Sequence, residues 1–179
     1  MKKQIICLLI GIISFGTLAQ SKDMRVANYN LDQKIAIQGY DPVAYFKQGK
    51  TLKGRKDIAA AYEGVTYHLS SVANKETFLK KPLAFEPQFG GWCAYAMGGY
   101  GEKVEIDPET YKIVDDKLYL FYNAYFNNTL KTWNKDENRL KAKADANWKK
   151  LLKYRYEIQH FYLDYQAHRG CYSRADAFF

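Results

Sequence analysis

The sequence predicts an α+β fold in a single domain, with a small antiparallel sheet of two hairpins and helices packed on it. Two pairs of apolar runs are each joined by a short turn, Glu63-Gly64 in the first and Asp115-Asp116 in the second. The C-terminal part has a helical period instead, with apolar residues spaced at four, four and three: Leu140, Ala144, Trp148 and Leu151. The length suits one domain that buries its own core.

Residues 1–20 predict a signal peptide. A basic start at Lys2 and Lys3 precedes a short apolar run from Ile5 to Phe15, and small residues then lead to a cleavage site after Ala19 or Gln20. The apolar run is too short for a spanning helix, so we expect no stable membrane span after cleavage. The mature protein is therefore expected in the periplasm or outside the cell.

The first half of the mature chain predicts a flexible lead-in and then the start of the domain. Residues 21–34 are polar and form the lead-in, and the domain covers residues 35–152. Asp41 before Pro42 predicts the N-cap of a short helix. Ala59 to Tyr62 and Val65 to Leu69 predict the first hairpin, with His68 on its polar face. Ser70 or Ser71 is expected to cap a helix that stops before Pro82.

The second half predicts another hairpin and then only helices. Tyr111 to Val114 and Leu118 to Tyr122 form the hairpin. Ala124 to Trp133 and Asp136 to Leu152 are the two predicted helices. Residues 153–179 stand apart as an aromatic-rich extension, for which a continued helix and a loosely ordered tail both remain open.

Charge and cysteine content exclude several classes of protein. The formal charge of +8 falls to +6 without Lys2 and Lys3, and the basic residues are spread along the chain. Nucleic-acid binding would require a denser basic stripe, so it is not expected. After removal of Cys7 with the leader, only Cys93 and Cys171 remain, too few for a disulfide scaffold. A bridge between these two is possible but not favoured.

The segment Pro87 to Met97 carries the strongest candidate chemistry. Cys93 and Met97 are four residues apart, so on a helix they would share one face. A thiolate, a thioether and the imidazole of His68 would suit copper. The same residues are also ordinary core filler, because free cysteine and methionine are usually buried. Both interpretations remain open.

Other candidate residues have equally ordinary alternatives. Asp41 could orient His68 or simply cap a helix. A thiol enzyme would use Cys93 as nucleophile, His68 as base and Asp41 as orienter, but no local signature joins them, so an enzyme is not expected. A pocket for a small ligand could be lined by aromatic side chains that would otherwise belong to the core: Tyr40, Tyr67, Trp92, Tyr95 and Tyr122.

The order of motifs resembles the YHS-domain family, and in particular its exported bacterial single-domain members. The resemblance extends over about Ala36 to Leu152 and rests on seven stretches: Gly39 to Phe46, Tyr62 to Ser71, Asn74 to Pro82, Pro87 to Ala96, Asp107-Pro108, Lys117 to Asn123, and Ala144 to Trp148. The resemblance implies metal handling, because related modules carry thiolates that bind soft ions. At the positions that match those cysteines this chain has Ala44, Ser70 and Asn74, so that thiolate site is lost.

These observations predict an exported, non-enzymatic binding module. Its first expected ligand is a transition metal, with copper held by Cys93, Met97 and His68. The alternative is a small-ligand or protein-interaction module with a tyrosine-rich pocket and a structural Cys93. The sequence does not fix the oligomeric state.

Overall fold

A computed structural model describes the backbone of residues 16–172 and the side chains of residues 22–158, 160–162 and 165. The predicted signal peptide lies outside the described residues, apart from the backbone of residues 16–20. Within the described part of the chain, no helix is both long enough and apolar enough to cross a membrane.

Fourteen helices and strands make up the described chain, and together they confirm the α+β class. The first half contains α1 (Gly16–Asn28), β1 (Leu31–Asp32), β2 (Ile35–Ala36), α2 (Pro42–Lys47), β3 (Arg55–Tyr62), β4 (Val65–Leu69) and α3 (Val72–Lys80). The second half contains α4 (Ala94–Gly99), β5 (Asp107–Val114), β6 (Lys117–Phe121), β7 (Asn123–Ala124), β8 (Asn127–Asn128), α5 (Thr129–Trp133) and α6 (Glu137–Tyr172). The larger sheet has the order β1-β2-β4-β3, and two hairpins, β5-β6 and β7-β8, stand beside it.

Both predicted hairpins and both predicted helix caps are present. β3 and β4 pair antiparallel around Glu63 and Gly64, which have φ of 48° and 84° as a two-residue turn requires. The Asp41 side chain accepts hydrogen bonds from the first backbone N–H groups of α2, and Ser71 caps α3. Three further pairings were not predicted: β1 with β2, β2 with β4 in parallel, and β7 with β8. The two hairpins and the two helix starts are thus the features that local turn and cap residues determine.

The predicted helix from Ala124 to Trp133 is wrong over its first half. Tyr125 and Phe126 have φ of 49° and 64°, and they form the turn between β7 and β8. Aromatic residues are unusual at these two positions, which normally contain asparagine or glycine. The helix begins only at Thr129, where the Asn128 side chain accepts a hydrogen bond from the Leu130 N–H group.

The predicted flexible lead-in is also wrong, because α1 docks on the domain. The Arg25 guanidinium donates to the buried carboxylate of Glu86, which also accepts from the Tyr67 hydroxyl at 2.6 Å. The indole N–H of Trp92 donates to the Asn28 carbonyl at 2.7 Å. A Cβ built on Gly64 would lie 2.9 Å from Val26, so the β3-β4 turn needs glycine where α1 crosses it. The lead-in is thus part of the folded unit.

Alkaline pH is expected to destabilise this docked region. Burial and the nearby Glu86 charge raise the pKa of Tyr29 to about 12, and the same causes raise the pKa of Tyr67 further. In the unfolded chain tyrosine ionises near pH 10. Stability is therefore complete below about pH 10 and falls as the pH rises toward about 12, by about 1.4 kcal/mol per pH unit for each tyrosine that ionises only when unfolded.

Urea unfolding at successive pH values, with tyrosinate absorbance recorded in parallel, checks this expectation. The Tyr29→Phe variant should show a shallower decline than the wild type. A wild-type unfolding free energy that is constant across this interval would contradict it.

Two buried clusters form the core, and β6 separates them. Leu118 and Leu120 face the first cluster, which contains Tyr45, Tyr67 and Cys93. The alternate residues Tyr119 and Phe121 face the second, which has Trp133 at its centre. Because strand side chains alternate, a strand with both faces buried is apolar at every position.

The last helix is continuous through the predicted domain boundary at residue 152. Leu140 and Ala144 are buried, whereas Tyr154 is 64% exposed and Phe161 is 74% exposed. The helical interpretation of the extension is therefore correct as far as Tyr172. The boundary is a change in burial and not a break in the backbone.

Candidate functional site

Asp41 is the centre of a buried polar cage. Its side chain is fully buried and accepts from the N–H groups of Val43 and Ala44, from the N–H and hydroxyl groups of Ser70, and from the Asn74 amide. The shortest of these, from Ser70 Oγ and Asn74 Nδ2, are both 2.6 Å. The three positions that the family resemblance assigns to cysteines thus converge on one carboxylate. Because the Asp41 carboxylate already accepts five hydrogen bonds from these groups, it is not available to orient His68.

The sequence predicts His68 on the polar face of β4, where its side chain would be exposed, but in the structure this side chain is buried. It is 8% exposed, because the backbone near Gly39 and Gly54 covers that face. Gly54 donates its N–H to the Gly39 carbonyl, and a Cβ built on Gly54 would lie 2.3 Å from the His68 backbone. Its neighbours Tyr67 and Leu69 belong to the cluster that contains Cys93. Because side chains alternate along a strand, His68 lies on the other face of β4 from Cys93.

Cys93 is a fully buried free thiol with hydrogen-bond partners of its own. The Tyr122 N–H donates to its sulfur at 3.4 Å, and the Thr129 hydroxyl lies 3.5 Å from it. Cys93 precedes α4 with non-helical backbone angles, so the helical rule that would align it with Met97 does not apply. The Met97 side chain lies in the second cluster, whereas Cys93 lies in the first.

The three predicted copper ligands therefore lie in three different surroundings. Among the described residues, no group of three His, Cys, Asp or Glu side chains is placed to hold a metal ion. No hydrogen bond in the described part of the chain joins Cys93, His68 and Asp41. Copper binding stays a prediction, and so does the absence of enzyme activity.

The aromatic candidates are distributed over the domain and do not form one pocket. Tyr67 is buried against Glu86, and Trp92 contacts α1. The Tyr40 hydroxyl donates to Glu109 at 2.9 Å, with the Lys53 ammonium 4.1 Å from its ring centre. Tyr122 is half-buried against the first cluster. Tyr95, by contrast, lines a cleft formed by described residues.

This cleft lies between α4 and the start of α6 and has a volume of about 300 Å³. The Tyr95 and Tyr100 rings form one wall, with ring centres 6.0 Å apart and planes at 88°. We call this cavity the α4–α6 cleft and define it by its lining residues: Tyr95, Gly98, Gly99, Tyr100, Thr132, Lys135, Asp136, Arg139, Leu140 and Lys143.

Two glycines shape the α4–α6 cleft in different ways. A Cβ built on Gly98 would lie 2.5 Å from the Leu140 carbonyl oxygen, so glycine there lets α4 approach α6 closely. A Cβ built on Gly99 would meet no atom within 4 Å. Gly99 is exposed and borders open space, so a larger side chain at this lining position would meet no clash at its Cβ.

The charges around the cleft are mainly positive. Lys135, Arg139 and Lys143 line it, and Asp136, which pairs with Arg139, is the one acid among its lining residues. A hydrogen-bonding interaction with the Tyr100 hydroxyl, together with burial, raises the pKa of Tyr95, so this phenol stays neutral at ordinary pH. The cleft can therefore offer cationic groups, hydroxyl donors and aromatic faces to one ligand.

Reasoning from the sequence did not identify the cationic side of this cleft. Lys143 was interpreted as part of a scattered basic group, although Lys135, Arg139 and Lys143 recur at intervals of four. Arg139 and Lys143 share one face of α6, and Lys135 precedes Arg139 by four residues in the turn before the helix, so this spacing was the available signal. The aromatic wall of the cleft comes from residues 95–100, and no local sequence pattern shows that these residues lie opposite the cations.

Comparisons with known protein families, with curated proteins and with solved structures found no match to this chain. The resemblance to the YHS-domain family therefore rests on the order of motifs in the sequence and stays a prediction. The function has to be argued from the geometry of the described residues.

Proposed function

We propose that this chain is an exported, non-enzymatic binding module of the YHS-domain type, periplasmic or secreted from a bacterium, whose α4–α6 cleft takes a small organic anion. The leader-like residues 1–20 and the motif order support export and the family. The observation that carries the ligand class is the tyrosine pair opposite three cationic side chains. Cys93 has a structural role in this proposal.

The cleft favours an anion that carries a flat ring. Three cations and one acid leave a positive surplus, which attracts a carboxylate or phosphate group. Tyrosine faces offer stacking surface, and their hydroxyl groups offer hydrogen bonds. The volume of about 300 Å³ is at the lower limit for ligand pockets, so the ligand is small.

Saturation-transfer NMR with phenyl phosphate tests the proposal on the mature protein. We expect transfer to the phenyl protons, and a loss of at least about tenfold in affinity in the Lys143→Gln variant, equivalent to about 1.4 kcal/mol. Gly99→Leu should abolish the signal by filling the cleft. Benzylamine, which has the same ring and the opposite charge, should give none.

Lys149→Gln is the matched control, because Lys149 lies on the same helix and does not line the cleft. Phenyl phosphate binding that Gly99→Leu leaves unchanged would refute the cleft as the site. Stoichiometric Cu(I) uptake that is lost in Cys93→Ala would support the soft-metal hypothesis in its place.

A further inference from the structure

The exposed part of α6 carries a heptad stripe. Leu151, Tyr154, Ile158, Phe161 and Tyr165 follow intervals of three, four, three and four. This spacing is the a/d pattern of helices that pair along their length. From Tyr154 onward these side chains are between 47% and 74% exposed. At 1.5 Å per residue, the helix after Leu151 extends roughly 30 Å.

The same heptad register begins inside the domain. Leu140 and Asn147 occupy d positions, and Ala144 occupies an a position. There α4 covers the stripe: Gly98 packs on the Leu140 backbone, and the Asn147 amide donates to the Met97 carbonyl at 2.8 Å. One continuous seam is thus covered by the chain's own α4 at one end and exposed at the other.

We propose that a second copy of this chain covers the exposed end, with the two α6 helices antiparallel. A heptad stripe is self-complementary, so the same stripe in another copy fits it. The direction follows from the position of the domain, which lies on the stripe side of its own helix. Parallel helices with facing stripes would place both domains in one volume, whereas antiparallel helices place them at opposite ends.

The antiparallel arrangement has a definite register. Ile158 packs against Phe161 of the second copy, and Tyr154 packs against Tyr165 of the second copy. Arg155 then lies beside Tyr162 of the second copy, a favourable cation–π pairing. Five half-exposed large side chains per copy bury on the order of 1,000 Å² for the pair, which reaches the size of a specific interface.

Sedimentation equilibrium of the full mature chain tests the proposal. The wild type should be a dimer, and Tyr154→Lys should weaken the dimer at least about tenfold. The matched control is Tyr156→Lys, which changes another exposed tyrosine two residues away, off the stripe, and should remain dimeric. Far-ultraviolet circular dichroism verifies that α6 is intact in each variant.

A charge-pair rescue tests whether the two α6 helices are antiparallel. In the antiparallel register, Tyr154→Lys combined with Tyr165→Glu places lysine opposite glutamate at both ends, and the double variant should regain the dimer. Parallel helices would place lysine against lysine and would not be rescued. A monomeric wild type, a dimer that survives Tyr154→Lys, equal losses in both tyrosine variants, or a failed rescue would each overturn the proposal.

Discussion

Replacement of Asp41 by alanine should lower the free energy of unfolding by about 4 kcal/mol, because it removes the acceptor of five hydrogen bonds in a fully buried site. The Val43, Ala44 and Asn74 donors are buried when the domain is folded, so they lose their acceptor with little compensation from water, whereas the two Ser70 donors are only partly buried. The cage joins α2, the end of β4 and α3, so its loss loosens three elements together. Urea unfolding followed by tryptophan fluorescence measures the change.

Two further variants make the Asp41 measurement specific. Asn74→Ala removes one donor and leaves the carboxylate four others, so it should cost about 1–2 kcal/mol and remain folded. Asp57→Ala removes an exposed carboxylate that pairs only with Arg55 and should change stability little. If Asp41→Ala were no less stable than Asn74→Ala, the carboxylate would not be the organising group.

Replacement of Glu86 by alanine should cost about 3 kcal/mol and release α1 from the domain, because half-buried Arg25 and buried Tyr67 both lose their acceptor. Arg25 Nε is already buried without a hydrogen-bond partner among the described residues, and without Glu86 the guanidinium keeps only its contacts with Tyr29 and Tyr62 among the described residues. Hydrogen exchange should show rapid exchange of the α1 amides, together with a lower urea midpoint.

Glu86→Gln separates the contribution of the Arg25–Glu86 ion pair from that of the hydrogen bond between Tyr67 and Glu86. The amide oxygen can still accept from Tyr67, but the charge opposite Arg25 is gone. We expect an intermediate loss of stability with α1 exchanging nearly as fast as in Glu86→Ala. Protection of the α1 amides that is unchanged in both variants would show that Arg25 and Glu86 do not hold this helix.

Features decided by neighbouring residues could be predicted from the sequence. The turns at Glu63-Gly64 and Asp115-Asp116, the caps at Asp41 and Ser71, and the helical period after Asp136 are of this kind. One local failure, Tyr125 and Phe126 in a turn, occurs where two aromatic residues occupy positions that favour asparagine and glycine. The pattern there indicated a helix, and the pairing of β7 with β8 overrode it.

The candidate sites required contacts between segments far apart in the sequence. Periodicity placed His68 on the outer face of β4, but only the fold brings Gly39 and Gly54 over that face. Spacing placed Cys93 with Met97, but Tyr122 and Thr129 surround the thiol, and the backbone at Cys93 is not helical. Two cations of the α4–α6 cleft, Arg139 and Lys143, share a face of α6 that the sequence shows, whereas the tyrosine wall comes from α4 and the residue that follows it.

The sequence by itself determined the fold class, the two hairpins, the helix caps, the helical period of α6 and the presence of Ala44, Ser70 and Asn74 at the positions that the family resemblance assigns to cysteines. Each of these depends on residue types at fixed short spacings, which act through local backbone geometry. Only the tertiary structure decided that those three positions converge on Asp41, that α1 docks through Glu86, and that tyrosines face cations across a cleft. The physical reason is that burial and electrostatic surroundings are properties of packed segments, and the packing partner of a residue is not specified by its neighbours in the chain.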